Sequence, residues 1–206
     1  MTRRDATSDT AVIVLAAGAG SRFRDLGHKL TAELPETIHR PRERVADRAI
    51  ATALEAAIGR VIVVTGRLDA TDLALDGRTD LDTVHNSNWE HGQMTSVHSG
   101  IDAAAALDAH TVVIGLADQP GITAEAWRDV AAQAIPSHPI AVATYDSKRA
   151  NPVALHRTAW GLLDHTGDEG ARGLMRLRPD LVVEVPCSGS PNDIDTVEDL
   201  AKWQNN

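Results

Sequence analysis

Residues 12–30 read VIVLAAGAGSRFRDLGHKL, and no other stretch limits the possible folds as tightly. Val12, Ile13, Val14 and Leu15 form an apolar run too short for a core helix and suited to a strand buried on both faces of a parallel sheet. The run then stops abruptly. Ala16, Ala17, Gly18, Ala19 and Gly20 carry almost no side chain, so main-chain N–H groups can close around an anion that bulkier residues would hold away. Arg22 and Lys29 follow, two cations of the kind a triphosphate needs while one phosphorus is attacked. A dinucleotide fingerprint would place a third glycine where Phe23 stands and a ribose-binding acid where Thr65 and Gly66 stand. A Walker loop would open its helix with Gly-Lys-Ser/Thr, and that triplet is absent.

A chain of 206 residues suits one domain, with residues 1–10 as an N-terminal tail and 11–206 as a single catalytic unit. The net charge of −9 argues against nucleic acid or an anionic membrane as the main partner. Cys187 is the only cysteine, which excludes a disulfide within the chain and makes the cytoplasm the default location. The opening MTRRDATSDT has no apolar core after its arginines, unlike a signal peptide, and no apolar run reaches membrane-spanning length.

Strand and helix signals alternate, the pattern of a doubly wound, mainly parallel sheet in a three-layer α/β/α domain. Strands are expected at residues 61–65, near Val84, and at 111–116, 140–144, 153–155 and 181–185. Helices are expected at residues 43–58, 70–75, 94–107, 124–134, 159–163, 171–177 and 196–203.

LADQPG (residues 116–121) places Asp118 just past an apolar strand, at the sheet edge where open α/β folds bind ligands, although an aspartate there can also simply cap the next turn. NDIDTVEDL (192–200) holds further acids: Asp195 precedes the helix-capping Thr196, and Glu198 and Asp199 suit a first helical turn. In NSNWEHGQMTSVHSG (86–100), Asn86, Gly92 and Ser96 are the better candidates for a base or ribose, with Trp89 and Met94 read as packing. The nine histidines show no metal-binding spacing, and no nucleophile elbow is present.

Together these segments resemble the MobA-like NTP transferase family, whose signature L-A-A-G-x-G/S-x-R is followed by K-L, and within it most closely the molybdenum cofactor cytidylyltransferases. L-A-D-Q-P is characteristic of that branch. The resemblance runs from Leu15 to Leu200 in family order and implies the nucleotide-diphospho-sugar transferase-like fold. It further implies that CMP passes from CTP to the phosphate of molybdopterin with release of pyrophosphate, and that Mg2+ is the cofactor. Leu15, Ala16, Ala17, Gly18, Gly20, Lys29, Asn86, Gly92 and Ser96 would then bind nucleotide, Arg22, Lys29 and Asp118 would act in catalysis, and Asp118 with Asp195 would hold the metal, Asp193 being the alternative acid. Asn151, Asp168 and Arg172 match the acceptor side, where Asn151 replaces the family's usual histidine. Ala17 stands where guanylyl-transferring relatives carry glycine, which favours CTP over GTP. A molybdoenzyme that receives the product is a further implied partner. The rival readings are a guanylyltransferase, transfer to a sugar or alditol phosphate, a carrier or chaperone without turnover, and a hydride-transferring enzyme.

Overall fold

The computed structural model describes residues 9–20, 23, 27–35, 42–164 and 171–203. The first apolar run becomes β1 (Thr10–Ala16), flanked in parallel by β4 (Arg60–Thr65) on one side and β6 (Thr111–Leu116) on the other. A strand so placed is covered on both faces, which is why its residues need not alternate with polar ones. β5 (Leu81–His85) extends the parallel set beyond β4. Beyond β6 the direction reverses. β7 (Ile140–Tyr145) and β8 (Lys148–His156) form a hairpin, with β8 antiparallel to both β6 and β7, and β9 (Val182–Pro186) runs parallel to β7 at the edge. The order is β5-β4-β1-β6-β8-β7-β9, the mainly parallel sheet expected. A small antiparallel ribbon, β2 (Glu33–Leu34) with β3 (Glu43–Arg44), stands apart from it.

Successive residues of β1 point to opposite cores. Val12, Val14 and Ala16 meet α1 (Val45–Glu55) and α3 (Ala124–Gln133) through Ile50, Ala53, Trp127 and Val130. Ile13 and Leu15 meet the opposite layer through Met94, Val97 and Ile101 of α2 (Gln93–Ala106). Ala159 of α4 (Arg157–Trp160), with Leu174 and Met175 of α5 (Arg172–Leu177), completes that layer. α6 (Val197–Trp203) ends the described chain.

Some expected elements differ. Residues 70–75 form turns, not a helix: Asp69 and Asp72 accept hydrogen bonds from each other's main-chain N–H (2.9 and 3.1 Å), and Ala74 adopts a left-handed φ of 53° that closes the segment after one turn. α1 starts at Val45 because Glu43 and Arg44 pair in the ribbon, and it ends before Ala57, whose φ is 52°. β8 is far longer than residues 153–155, since Asp146 and Ser147, both at positive φ, make the tight hairpin turn that carries pairing back to Lys148. β1 begins at Thr10, and the Asp9 carbonyl accepts from the N–H groups of His110 and Thr111, so ordered structure reaches back across the expected tail boundary.

Candidate active site

Residues 16–20 leave the carboxyl end of β1 where the chain's connections diverge to β4 on one side and β6 on the other, the place where open α/β sheets form a crevice. A cavity of about 350 Å³ lies there. Leu15, Ala16, Ala17, Gly18, Gly20, Lys29, Gly92, Ser96 and Asp118 all line it, so residues read from three separate segments converge. Trp89, read from the sequence as packing, also lines it, whereas Met94 is core at 1% exposure. Asn86 stands behind the wall, not on it. Its Nδ2 donates to Thr95 Oγ1 (2.8 Å) and Ser96 Oγ (2.9 Å), and its Oδ1 accepts from the Asn88 N–H, so its polar atoms tie the end of β5 to the start of α2. Arg22 and Asp168 lie outside the described residues.

The cradle is braced from two sides. Gly20 has a φ of 60°, and a Cβ there would come within 2.5 Å of the His28 ring. That ring donates from Nε2 to the Gly18 carbonyl (3.0 Å) and accepts the Leu30 N–H at Nδ1 (3.2 Å), an arrangement that requires the neutral tautomer. Burial holds its pKa below the usual histidine value, with the Gly18 contact opposing. On the other side Gly66 fits against Ala17 and Trp89, where an added Cβ would fall 2.7 Å from the Ala17 methyl, and the Arg67 N–H donates to the Ala17 carbonyl. No sequence pattern singled out His28 or Gly66 for this role.

Lys29, in a short 3-10 helix (Lys29–Thr31), donates from Nζ to Asp118 Oδ2 at 2.5 Å and to Asp195 Oδ1 at 2.6 Å. Burial disfavours its charge, but the Asp118 carboxylate and the hydrogen bonds to both acids outweigh this and hold its pKa above the ordinary lysine value. It is a bound ammonium. The three groups are far apart in sequence and are brought together by a small core of Phe23, Leu34, Val45 and Ile194, and by the Ile194 N–H donating to the Asp118 carbonyl. Asp199 accepts from the N–H groups of Asp195 and Thr196 and from the Thr196 hydroxyl, whose oxygen accepts the Asp199 N–H in return, a reciprocal cap that leaves Asp195 directed at Lys29.

Asp193 faces another partner. Gln119, buried at 5% exposure, donates from Nε2 to Asp193 Oδ1 (2.6 Å) and to the Pro191 carbonyl (2.8 Å), and its Oε1 accepts from Asn151 Nδ2 (2.9 Å). Burial pushes the Asp193 carboxyl pKa up, the charge of Asp118 adds to this, and the Gln119 bond opposes it. Asn151 lines a second cavity of about 400 Å³, which shares Leu15, Gln93 and Leu116 with the first. Its floor is apolar, including Val97, Ile114, Val142 and Met175, and Arg149, Arg172 and Arg176 also line it. Arg149 is also paired with Glu184 (2.7 Å).

No group of three or more His, Cys, Asp or Glu side chains able to hold a metal forms among the described residues. The candidate is a carboxylate pair. Asp118 Oδ1 is buried without a hydrogen-bond partner among the described residues, and hard oxygen donors in such a pair suit a small divalent cation that takes its other ligands from phosphate and water.

The sequence model of the MobA-like NTP transferase domain matches residues 12–184. A Paenarthrobacter nicotinovorans protein named nicotine blue oxidoreductase is 33% identical over 202 residues, covering 91% of this chain and 93% of that protein. The purine catabolism protein PucB of Bacillus subtilis (strain 168) is 30% identical over 199 residues, covering 91% and 92%. Among solved structures, that of a homologue of Mycobacterium tuberculosis Rv0371c from Mycobacterium sp. strain JC1 is similar with a TM-score of 0.74 and 26% identity, over 97% of this chain and 98% of that one.

Proposed function

The chain belongs to the MobA-like NTP transferase family, and from that premise we propose that it moves CMP from CTP to the phosphate of a molybdopterin-type acceptor, releasing pyrophosphate. One observation carries the reading. The Lys29–Asp118–Asp195 cluster stands by a cradle of main chain and small side chains, which adjoins an apolar cavity lined in part by arginines. The cradle suits a triphosphate, and the neighbouring cavity suits a flat heterocycle that carries a phosphate.

An acceptor phosphate oxygen attacks the α-phosphorus of CTP in line, the bond from that phosphorus to the bridging oxygen breaks, and pyrophosphate leaves with the electron pair. Such a transfer needs positioning and charge neutralisation more than covalent help. Residues 16–20 orient the phosphates, Lys29 supplies positive charge to the leaving group, and Arg172 holds the acceptor phosphate. Asp118 and Asp195 would hold Mg2+, which when bound supplies further charge neutralisation at the triphosphate. Arg22 is proposed to assist Lys29, and Asp168 to act with Arg172 and Asn151 on the acceptor side. A cytoplasmic location is proposed with the activity.

Pyrophosphate release across a panel of nucleotides and acceptors tests this. CTP with a molybdopterin-type acceptor is expected to give the highest turnover. Turnover confined to sugar or alditol phosphates would replace the acceptor, and binding without turnover would favour a carrier. A second reading follows from the relative named as an oxidoreductase: a redox reaction on a heteroaromatic compound in the apolar cavity. Oxidation of a reduced nicotinamide cofactor by the purified protein would favour it. Thr65 and Gly66, in place of the ribose-binding acid, speak against that cofactor.

A further inference from the structure

Lys29 occupies the position that a cation shared by Asp118 and Asp195 would take. Its Nζ lies 2.5 Å from one carboxylate and 2.6 Å from the other, donating to Oδ2 of Asp118 and Oδ1 of Asp195. A magnesium ion bound to the same oxygens would sit about 2.1 Å from each and would draw on the same lone pairs. Two positive charges that close repel strongly, so ammonium and metal exclude each other.

We propose that Lys29 is an internal cation that fills the Asp118–Asp195 pair in the free protein and moves to the triphosphate on binding, so that the divalent metal enters with the nucleotide and not ahead of it. The proposal rests on the reading of that pair as the metal site. Three observations support the exchange. First, the main chain of Lys29 is fixed: Leu30 is buried at 3% exposure, its N–H is held by the His28 ring, and the Thr31 hydroxyl donates to the His28 carbonyl. Only the flexible four-carbon stem is left to move. Secondly, the destination is close, because Lys29 lines the same cavity as Gly18 and Gly20. Thirdly, the ammonium leaves part of the pair unused: Asp118 Oδ1 is buried without a hydrogen-bond partner among the described residues, an oxygen that a divalent cation could draw on. With lysine on the triphosphate and a divalent ion on the pair, the carboxylates keep a cation and the triphosphate gains one.

The consequence is a coupling. Nucleotide must raise metal affinity, and metal must raise nucleotide affinity by the same factor. The protein also resists capture of a free ion that would leave the lysine without a partner.

Mn2+ is the probe. Free Mn2+ is counted by electron paramagnetic resonance in wild type, Lys29→Gln, Lys29→Arg and Asp118→Asn, with thermal melting as a control for folding. Wild type and Lys29→Arg are expected to bind Mn2+ weakly, and Lys29→Gln at least tenfold more tightly than wild type, about 1.4 kcal/mol. Water-proton relaxation, which separates Mn2+ on the protein from Mn2+ on free nucleotide, is expected to show CTP strengthening Mn2+ binding in wild type and doing so much less in Lys29→Gln. Tight Mn2+ binding by wild type without nucleotide would overturn the proposal, whatever the variants do. So would equal affinities in wild type and Lys29→Gln while Asp118→Asn binds none, a result that leaves the metal pair standing without a competing lysine. If, with CTP present, Asp118→Asn binds Mn2+ as tightly as wild type, the metal reading itself fails.

Discussion

The two cavities share Leu15, Gln93 and Leu116 but are built from opposite materials. The first has a continuous stretch of loop along one side: residues 16–20 contribute consecutive positions with little side chain, and their shape is held from behind by His28 and Gly66. The second is made of side chains delivered by several elements, chiefly β8 and α5, with others from α2, β6 and β7. A wall of main chain cannot be altered without moving the loop. A wall of side chains can be changed one residue at a time, so the first cavity constrains a ligand through the loop as a whole and the second through single residues.

The comparison is sharpest at the border. Asp118→Asn keeps the shape of the residue but removes half of the carboxylate pair, and turnover is expected to fall about a thousandfold with the melting temperature nearly unchanged. Near wild-type turnover at limiting magnesium would remove Asp118 from the metal site. Next comes the cradle. Gly20→Ala forces a left-handed φ on alanine and drives its methyl into the His28 ring, which is expected to cost roughly 1–3 kcal/mol of stability. Turnover should drop about a hundredfold for every nucleotide alike. A change for one base alone would show that the loop reads bases and not phosphates.

In the second cavity the expected effect is smaller and confined to one substrate. Arg172→Ala should raise the acceptor KM about tenfold and leave the nucleotide KM where it was, as expected for removal of a charged hydrogen bond. If both constants rise together, the two cavities are not separable. Acid provides a milder test of the brace. The folded-state pKa of His28 is lowered, so the unfolded chain binds the proton more readily, and the stability that the neutral ring contributes is complete above pH 6.5 and is lost as pH falls below it. His28→Gln keeps a donor for Gly18 without titrating, and its stability, measured by denaturant unfolding from pH 7 to 5, should fall less steeply than that of wild type. The smallest effect is expected at Ala17. Its methyl packs against Gly66 at 5% exposure, so Ala17→Gly should narrow a CTP preference of more than tenfold over GTP by only a few-fold in kcat/KM. A preference for GTP in wild type would end the cytidylyl assignment.

The same contrast explains what could be read from residues alone. The cradle was legible because its chemistry is local: an apolar strand, then residues too small to do anything but expose main chain. Lys29 and Asp118 were legible as charges at a sheet edge, but not their contact, which spans 89 positions and depends on Phe23, Leu34, Val45 and Ile194 packing together. Asp195 is preferred to Asp193 on the resemblance alone, and only the folded chain shows that Gln119 of the LADQPG string bonds Asp193 while Lys29 bonds Asp195. The sequence reads Trp89 as packing, because residue type alone cannot tell a side chain facing a cavity from one facing a neighbour. The helix expected at residues 70–75 failed because Asp69 and Asp72 give their hydrogen-bonding capacity to a turn.

The Lys29–Asp195 contact also has a direction in time. The two residues stand 166 positions apart, so during synthesis the cradle, the sheet centre and Asp118 all emerge well before the carboxylate that closes the cluster. Until residues 191–195 arrive, Gln119 has no Pro191 or Asp193 to donate to, and the Phe23 core lacks Ile194. A chain cut just before residue 191 would keep every strand of the large sheet and the whole glycine-rich loop, yet would present Lys29 with one acid in place of two. In such a fragment the carboxylate pair would be left half built.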